Sequence, residues 1–180
     1  MRARDNPFAS DRVESLRYRL PDGLTWDELL WRLASLRFRA ALVGPHGRGK
    51  TTLLEDLAPR LTARGFRVRT VTLRQDERRV DWQRFRDLAP DDILFLDGAE
   101  LLGRPAWLRV RFHCRRAGGL IVTSHRPGLL STLLECETTP ELLADLMREL
   151  TGEELEVGEL FDRHGGNLRL ALWEMYDRAR

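Results

Sequence analysis

Eight consecutive residues, Gly44-Pro45-His46-Gly47-Arg48-Gly49-Lys50-Thr51, have the types and spacing to bind phosphate. They read G-x-x-x-x-G-K-T, with an additional glycine at the fourth position. A tight turn of this kind aims several backbone N–H groups at one point, where the positive end of a following helix adds to them. Glycines are needed because the turn takes backbone angles closed to other residues and lets phosphate oxygens approach closely. Lys50 would reach the β- and γ-phosphates of a nucleotide as a point charge. The Thr51 hydroxyl would ligand Mg²⁺, with Thr52 next in the same turn. Of 30 basic residues 29 are Arg, and Lys50 is the only lysine. A compact ammonium is not interchangeable with a planar guanidinium, so a site that needs a point charge would keep its lysine.

Four further segments have chemistry that a phosphate site would use, and each has a plainer alternative. Asp97 closes the apolar run Ile93-Leu94-Phe95-Leu96. Nucleotide-bound Mg²⁺ calls for an acid at the end of a neighbouring strand; a helix-capping or turn aspartate is the other reading. Hydrolysis also needs a carboxylate to orient or deprotonate water. Gly98 follows Asp97, so Glu100 is the nearest acid, unless it is a solvated residue opening the next helix. Thr123 and Ser124 end the run Leu120-Ile121-Val122, where hydroxyls would bond the attacking water or the phosphate and Arg126 would add charge. A self-satisfied Ser/Thr turn before Pro127 is the alternative. Arg169, two residues after Asn167 and just past Gly165-Gly166, would bring the last helix onto the nucleotide, or is a surface arginine on an amphipathic helix.

These residues need a strand before the glycine loop and a helix after it. Ala40 to Val43 suits a short buried strand, and Thr51 to Leu61 carries leucines at helical spacing, with Pro59 set to kink or shorten it. Strand and helix signals then alternate. Phe66 to Leu73 reads as a half-exposed edge strand, 81–88 as a short helix, 93–97 as a strand and 105–117 as a helix. Leu120 to Val122 and Leu133 to Cys136 read as the last strands. After Glu137 come three helices: one capped by Thr139 with Pro140 first, one over 153–162 and one over 167–177. Before the loop, Leu24 to Leu36 is a helix, while Asn6-Pro7-Phe8 lacks periodicity. The expected architecture is α/β, a mostly parallel five-stranded sheet between helices followed by a small all-helical C-terminal subdomain. The divisions are an N-terminal segment (1–37), a core (38–138) and a helical lid (139–180).

Composition narrows the class. A chain of 180 residues, 42% apolar and 32% charged, is one domain with a solvated surface and enough core to fold. Its apolar runs fall short of the roughly 18 residues of a membrane helix, and Met1 to Asp5 lead into no apolar segment of a secretory signal. Two cysteines, Cys114 and Cys136, fit a reducing cytoplasm better than a disulfide framework. The net charge of +2 hides a polarity: +7 over 1–80, +2 over 81–126 and −7 over 127–180. That gradient would serve head-to-tail contacts or divide two subdomains. Arg67, Arg69, Arg78, Arg79, Arg84 and Arg86 cluster as a nucleic-acid surface would, but no recognition helix or aromatic platform accompanies them.

Taken together these residues resemble P-loop ATPases of the AAA+ and STAND (NACHT-like) type. Gly44 to Thr51 is similar to their Walker A, and Ile93 to Glu100 looks like the Asp-Gly form of Walker B. Thr123 to Pro127 resembles sensor 1, and Gly166-Asn167-Leu168-Arg169 resembles sensor 2. The resemblance implies ATP and Mg²⁺ as cofactors, Glu100 in a catalytic part and Arg169 as a nucleotide-contacting arginine. Departures are Gly98 at the AAA+ glutamate position and Leu101 at the second NACHT acid, which imply slow hydrolysis. The expected function is a Mg²⁺-dependent ATPase or ATP-driven switch whose helical subdomain responds to nucleotide, with an unknown protein partner and a possible oligomer. A P-loop kinase or other phosphotransferase, or a nucleotide-binding regulatory module with little hydrolysis, is the alternative. A GTPase is disfavoured because no lysine remains for an N-K-x-D element, and an ABC ATPase because no L-S-G-G-Q-like stretch occurs.

Overall fold

The computed structural model describes residues 6–74 and 80–179. Strands β1 (Arg39–Val43), β2 (Arg67–Thr72), β3 (Asp92–Asp97), β4 (Gly119–Ser124) and β5 (Thr132–Glu135) form one sheet in the order β2-β3-β4-β1-β5. Every neighbouring pair is parallel. β1, β3 and β4 are almost wholly buried, as continuous apolar runs are when helices cover both faces. β2 lies at the edge, and its Arg-bearing pattern leaves it half exposed.

The pleat sorts side chains by face. Ala40, Leu42, Ile93, Phe95 and Ile121 pack under α2 (Trp26–Ser35) and α3 (Lys50–Thr62), meeting Leu29, Leu33, Leu53, Leu57 and Leu61. Ala41, Val43, Leu94, Leu96, Leu120 and Val122 pack on the opposite face against Trp107, Val110 and Cys114, most of them from α4 (Arg104–His113). Beyond the sheet, α5 (Pro140–Thr151), α6 (Gly158–Arg163) and α7 (Leu168–Arg178) build a third core on Leu143, Met147, Leu160 and Leu172.

Several elements differ from the sequence reading for local reasons. Pro59 falls in the last turn of α3, where its missing amide removes a single helical bond, and the helix runs on to Thr62. Residues 81–88 form only a short 3₁₀ turn, Trp82–Phe85, capped by the Asp81 side chain. The helix expected over 105–117 passes into a 3₁₀ turn at Cys114–Arg116. That expected over 153–162 begins only at Gly158, so the acidic stretch before it is not helix.

The N-terminal segment is more ordered than its sequence suggests. A six-residue helix α1 (Ser10–Ser15) follows a turn in which Asn6 Oδ1 accepts from the Phe8 amide at 2.9 Å. Phe8 and Leu16 join the C-terminal helical core, whereas Tyr18 and Leu20 pack against the sheet core. Buried Asp56 on α3 accepts from the Tyr18 amide at 2.7 Å and from Arg17 at 2.9 Å. Arg19 pairs with Asp145 and Glu149 on α5 at 3.0 and 2.8 Å. The segment thus straps the sheet to the helical end. A capping box on Thr25 and Glu28 then opens α2.

Of the basic cluster, Arg67 pairs with Asp91 and Asp92, and Arg69 donates to the carbonyls of Arg84 and Arg86. Arg78 and Arg79 lie outside the described residues. No helix among the described residues is long and apolar enough to cross a membrane.

Candidate nucleotide site

β4 lies between β1 and β3, so the loops that leave the C-terminal ends of all three strands meet at one edge of the sheet. From β1 the chain enters the glycine loop and then α3, whose first residue is Lys50. Gly47 (φ 72°) shows why glycine is needed: a Cβ there would sit 1.8 Å from Asn167 Oδ1, at the cap of α7. At Gly44 a Cβ would lie 2.6 Å from the Cys136 carbonyl, so the loop runs directly against the end of β5.

Lys50 is buried, and its Nζ donates to the carbonyls of Gly44 and Pro45 at 2.6 and 2.7 Å. Burial pushes the pKa of its ammonium down, while Glu100, Cys136 and Asp97 push it back up. The Thr51 hydroxyl donates to Asp97 Oδ2 at 2.9 Å. Thr123 donates to Asp97 Oδ1 at 2.6 Å and accepts from the Gly98 amide at 2.8 Å. Asp97 is therefore held by a hydroxyl on each oxygen, and the single hydroxyl proton of Thr123 is already committed to it.

Glu100 sits in the 3₁₀ turn Ala99–Leu101, which Gly98 (φ 85°) folds back after β3. Its Oε1 lies 3.0 Å from His125 Nε2, and its Oε2 is buried without a partner. The ring of His46, from the glycine loop, meets the His125 ring edge-on at 3.7 Å. Ser124 closes the turn foreseen as the plain alternative: its hydroxyl donates to the Arg126 carbonyl at 2.8 Å. Arg126 itself is exposed and does not line the cavity.

Arg48 turns towards the helical end. Its guanidinium donates to Thr138 Oγ1 at 2.5 Å and to the Gly165 carbonyl at 2.9 Å. Thr138 Oγ1 donates in turn to the Gly166 carbonyl at 2.7 Å, and the Leu168 amide donates to the Gly47 carbonyl at 3.1 Å. The loop is thereby fastened to the first turn of α7, which carries Arg169.

All of this opens on a cavity of about 1310 Å³. One wall holds His46, Gly47, Arg48, Gly49, Lys50, Thr51, Thr52, Asp97, Glu100, Thr123 and His125, with Arg169 facing them from α7. The same cavity is lined by apolar Phe8, Val13, Leu16, Leu142, Leu146 and Leu172 and by Tyr18 and Tyr176, interspersed with Ser10, Glu14, Arg17, Arg19, Glu55 and Glu137. The Tyr18 ring lies 3.2 Å from where a Cβ on Gly49 would sit, so this part of the lining begins beside the loop. Sequence reasoning missed residues 8–18 here, and it missed the contacts of His46 and His125. Only the proximity of His125 to Thr123 along the chain hinted at the latter.

The residues present fit the groups the sequence implies. Thr51 and Asp97 supply hard oxygen ligands a hydrogen bond apart, as Mg²⁺ requires. Lys50 and the loop amides offer a phosphate only positive charge and donors. A glycine loop between a central parallel strand and a helix, with an acid at the end of a strand two places away, defines the P-loop nucleotide-binding fold.

Three solved structures of RuvB variants from Thermotoga maritima, an AAA+ P-loop ATPase, share that fold. Their TM-scores are 0.54, 0.56 and 0.56, at 18%, 21% and 21% sequence identity. They cover 84%, 83% and 84% of this chain, which spans only 61%, 58% and 61% of theirs. At that identity the likeness is one of fold. No protein-family profile and no curated protein matches the chain.

Proposed function

We propose that the chain binds ATP with Mg²⁺ and hydrolyses it slowly, as a switch in which the helical end responds to the nucleotide. The carrying observation is that Lys50 and Thr51, at the end of the glycine loop, and Asp97 and Glu100, at the end of β3, converge on one cavity. Lys50 and the amides of Gly47 to Thr51 would hold the phosphates, and Arg169 would face them from the lid. The part of the cavity beside Tyr18 would take the base. Mg²⁺, held through Thr51 and Asp97, would neutralise phosphate charge. Glu100 lines the same cavity and, unlike Asp97, accepts no hydrogen bond from a hydroxyl, so it would be the carboxylate that takes a proton from water. Turnover is slow in this reading because Arg126 stands outside the cavity and Thr123 is spent on Asp97.

A phosphotransferase fits less well. A phosphotransferase would place an Arg-rich lid over a second substrate, whereas residues 127–180 carry a net charge of −7. The test of the ATP reading is titration calorimetry with ATP and Mg²⁺. Lys50→Ala removes a charged hydrogen-bonding partner of the phosphates, worth about 1.5–3 kcal/mol, so affinity should fall by roughly 10- to 150-fold. Equal affinity in variant and parent would remove the phosphates from this loop.

A further inference from the structure

The ATP reading leaves one face of the molecule without a role. Between Glu100 and Glu135 the chain carries no acid, yet it carries six arginines, five of them within 104–116. α4 runs from the end of β3 back to the start of the parallel strand β4, so its last turn lies at the sheet edge opposite the nucleotide cavity. There Arg39 donates to the carbonyls of Cys114 and Ala117 at 2.9 and 3.0 Å and closes that end of the helix. The helix buries Trp107 and Val110 and leaves Arg104, Leu108, Arg111, Phe112 and the following Arg115 exposed. Leu108 and Phe112, one turn apart, are 61% and 59% exposed. Arg109 lies over the Trp82 ring at 4.2 Å and Arg115 over the Phe112 ring at 4.1 Å, so two guanidiniums are held on aromatic faces. Beside Phe112 a groove of about 300 Å³ opens between residues 85–88 and the end of α4. Buried Phe85 and Leu88 line it, together with Arg86, His113, Arg115 and Arg116, and Asp87 is the one acid in the lining. Among the described residues none of these three arginines pairs with an acid.

We infer that this face binds single-stranded nucleic acid, whether or not the chain binds ATP. A single strand offers phosphates at regular intervals and bases whose faces are open, and the groove has a partner for each. Arg86, Arg115 and Arg116 would take phosphate oxygens, which a guanidinium fork matches two at a time. Asp87 opposes them, but three guanidiniums outweigh one carboxylate. Phe112 at the lip would stack a base, and Leu108, one turn back along α4, would cover the next sugar before the strand meets Arg104. Of the arginines that cluster along the sequence, Arg67 and Arg69 are spent on acids and carbonyls of the fold, while Arg86 reaches this groove. The aromatic platform missing from that stretch of sequence comes instead from α4. A duplex would meet the same arginines with its bases stacked inward, leaving Phe112 unused. An acidic protein segment would match the charge alone.

The test is fluorescence anisotropy of the full chain with a labelled oligo-dT of about 20 nucleotides, repeated over a salt series. Affinity should fall as salt rises with a log–log slope of about −2, since three phosphate contacts contribute about −0.7 each. Replacing Arg115→Gln and Arg116→Gln together should flatten that slope by about 1.4, whereas Arg32→Gln, at an exposed arginine of α2, should leave it unchanged. Phe112→Ala should weaken binding about 5- to 100-fold at fixed salt without altering the slope, and Phe112→Trp should restore most of it. Excess ATP with Mg²⁺ should not displace the strand, because the groove and the glycine loop lie at opposite edges. Absent or salt-independent binding overturns the inference, as does displacement by ATP, equal affinity for a duplex of the same length, or a Phe112→Ala variant that binds like the parent. An Arg32→Gln variant that flattens the slope as much per arginine as the groove pair overturns it too. Poly-L-glutamate that competes as well as unlabelled oligo-dT also overturns it and gives the face to an acidic protein segment. Should Phe112→Ala fail to fold, photocrosslinking of a bromodeoxyuridine oligonucleotide to the parent decides. Adducts within 104–116 support the inference, and adducts confined to other residues overturn it.

Discussion

Asp97 shows how the site is tuned at the residue scale. A carboxylate with a hydroxyl donor on each oxygen has its position fixed by neighbours, Thr51 from α3 and Thr123 from β4. Binding a divalent ion there requires Thr51 to turn its lone pair towards the metal while Thr123 still holds the other oxygen. Thr123 is thus a brace for the metal ligand, and its hydroxyl need not reach the phosphate. Asp97→Asn keeps the size and an acceptor for Thr123 but removes the charge that a hard cation requires. The expected outcome is specific to metal. In the parent, chelating Mg²⁺ should weaken ATP binding, whereas in Asp97→Asn affinities with and without Mg²⁺ should converge. A variant that keeps the full Mg²⁺ dependence would move the metal to another acid of the cavity. Lys50 needs no such brace, because helix geometry fixes its stem and two loop carbonyls fix its tip.

At the scale of elements, the N-terminal strap turns on one buried carboxylate. Asp56 is 3% exposed, and its bond to the Tyr18 amide closes that part of the chain onto α3. Its ion pair with Arg17 contributes little, because the arginine side chain is 80% exposed to screening solvent. Asp56→Ala should therefore cost about 1–3 kcal/mol, or roughly 2–10 °C in Tm for a domain of this size. Arg17→Ala should change Tm by only about 1–2 °C. Equal losses in the two variants would show that the ion pair carries the strap.

The same contrast explains what the sequence made legible. The sheet strands and α3, α5 and α7 announce themselves by apolar period and by caps such as Thr139 and Asn167, which act within a few residues. The Lys50 loop was legible because its spacing is itself the chemistry. The place of Phe8, Leu16 and Tyr18 depends on partners far along the chain, Asp56 and Tyr176 among them, and no local pattern encodes that. The approach of His46 to His125 likewise exists only once β1 and β4 are side by side. Residues 153–157 belong to a helix expected over 153–162, yet they stay outside α6, which begins at Gly158.

At the scale of the whole molecule, the charge gradient is partly spent inside the chain. Arg19 of the basic N-terminal part meets Asp145 and Glu149 of the acidic end, so the polarity holds the two ends of one molecule together. The second tie is Arg48, which runs from the glycine loop to Thr138, before α5, and Gly165, before α7. A ligand that draws the loop amides towards itself would pull on both. Arg169, exposed on the first turn of α7, would close the circuit by reaching the phosphates from the lid. Limited proteolysis separates the two arginines. In the parent, ATP with Mg²⁺ should slow cleavage within 139–180. Arg169→Ala, an exposed substitution worth within about 0.5 kcal/mol of stability, should leave Tm nearly unchanged and abolish that protection. Arg48→Met should instead lower stability by about 1.5–3 kcal/mol, since it strips charged bonds from Thr138 and Gly165, and should leave the lid open to protease with or without ATP. If Arg169→Ala is protected by ATP as fully as the parent, α7 does not sense the nucleotide through that side chain. The ties through Arg48 and through the Leu168 amide to the Gly47 carbonyl would then carry the coupling from the loop to the helical end.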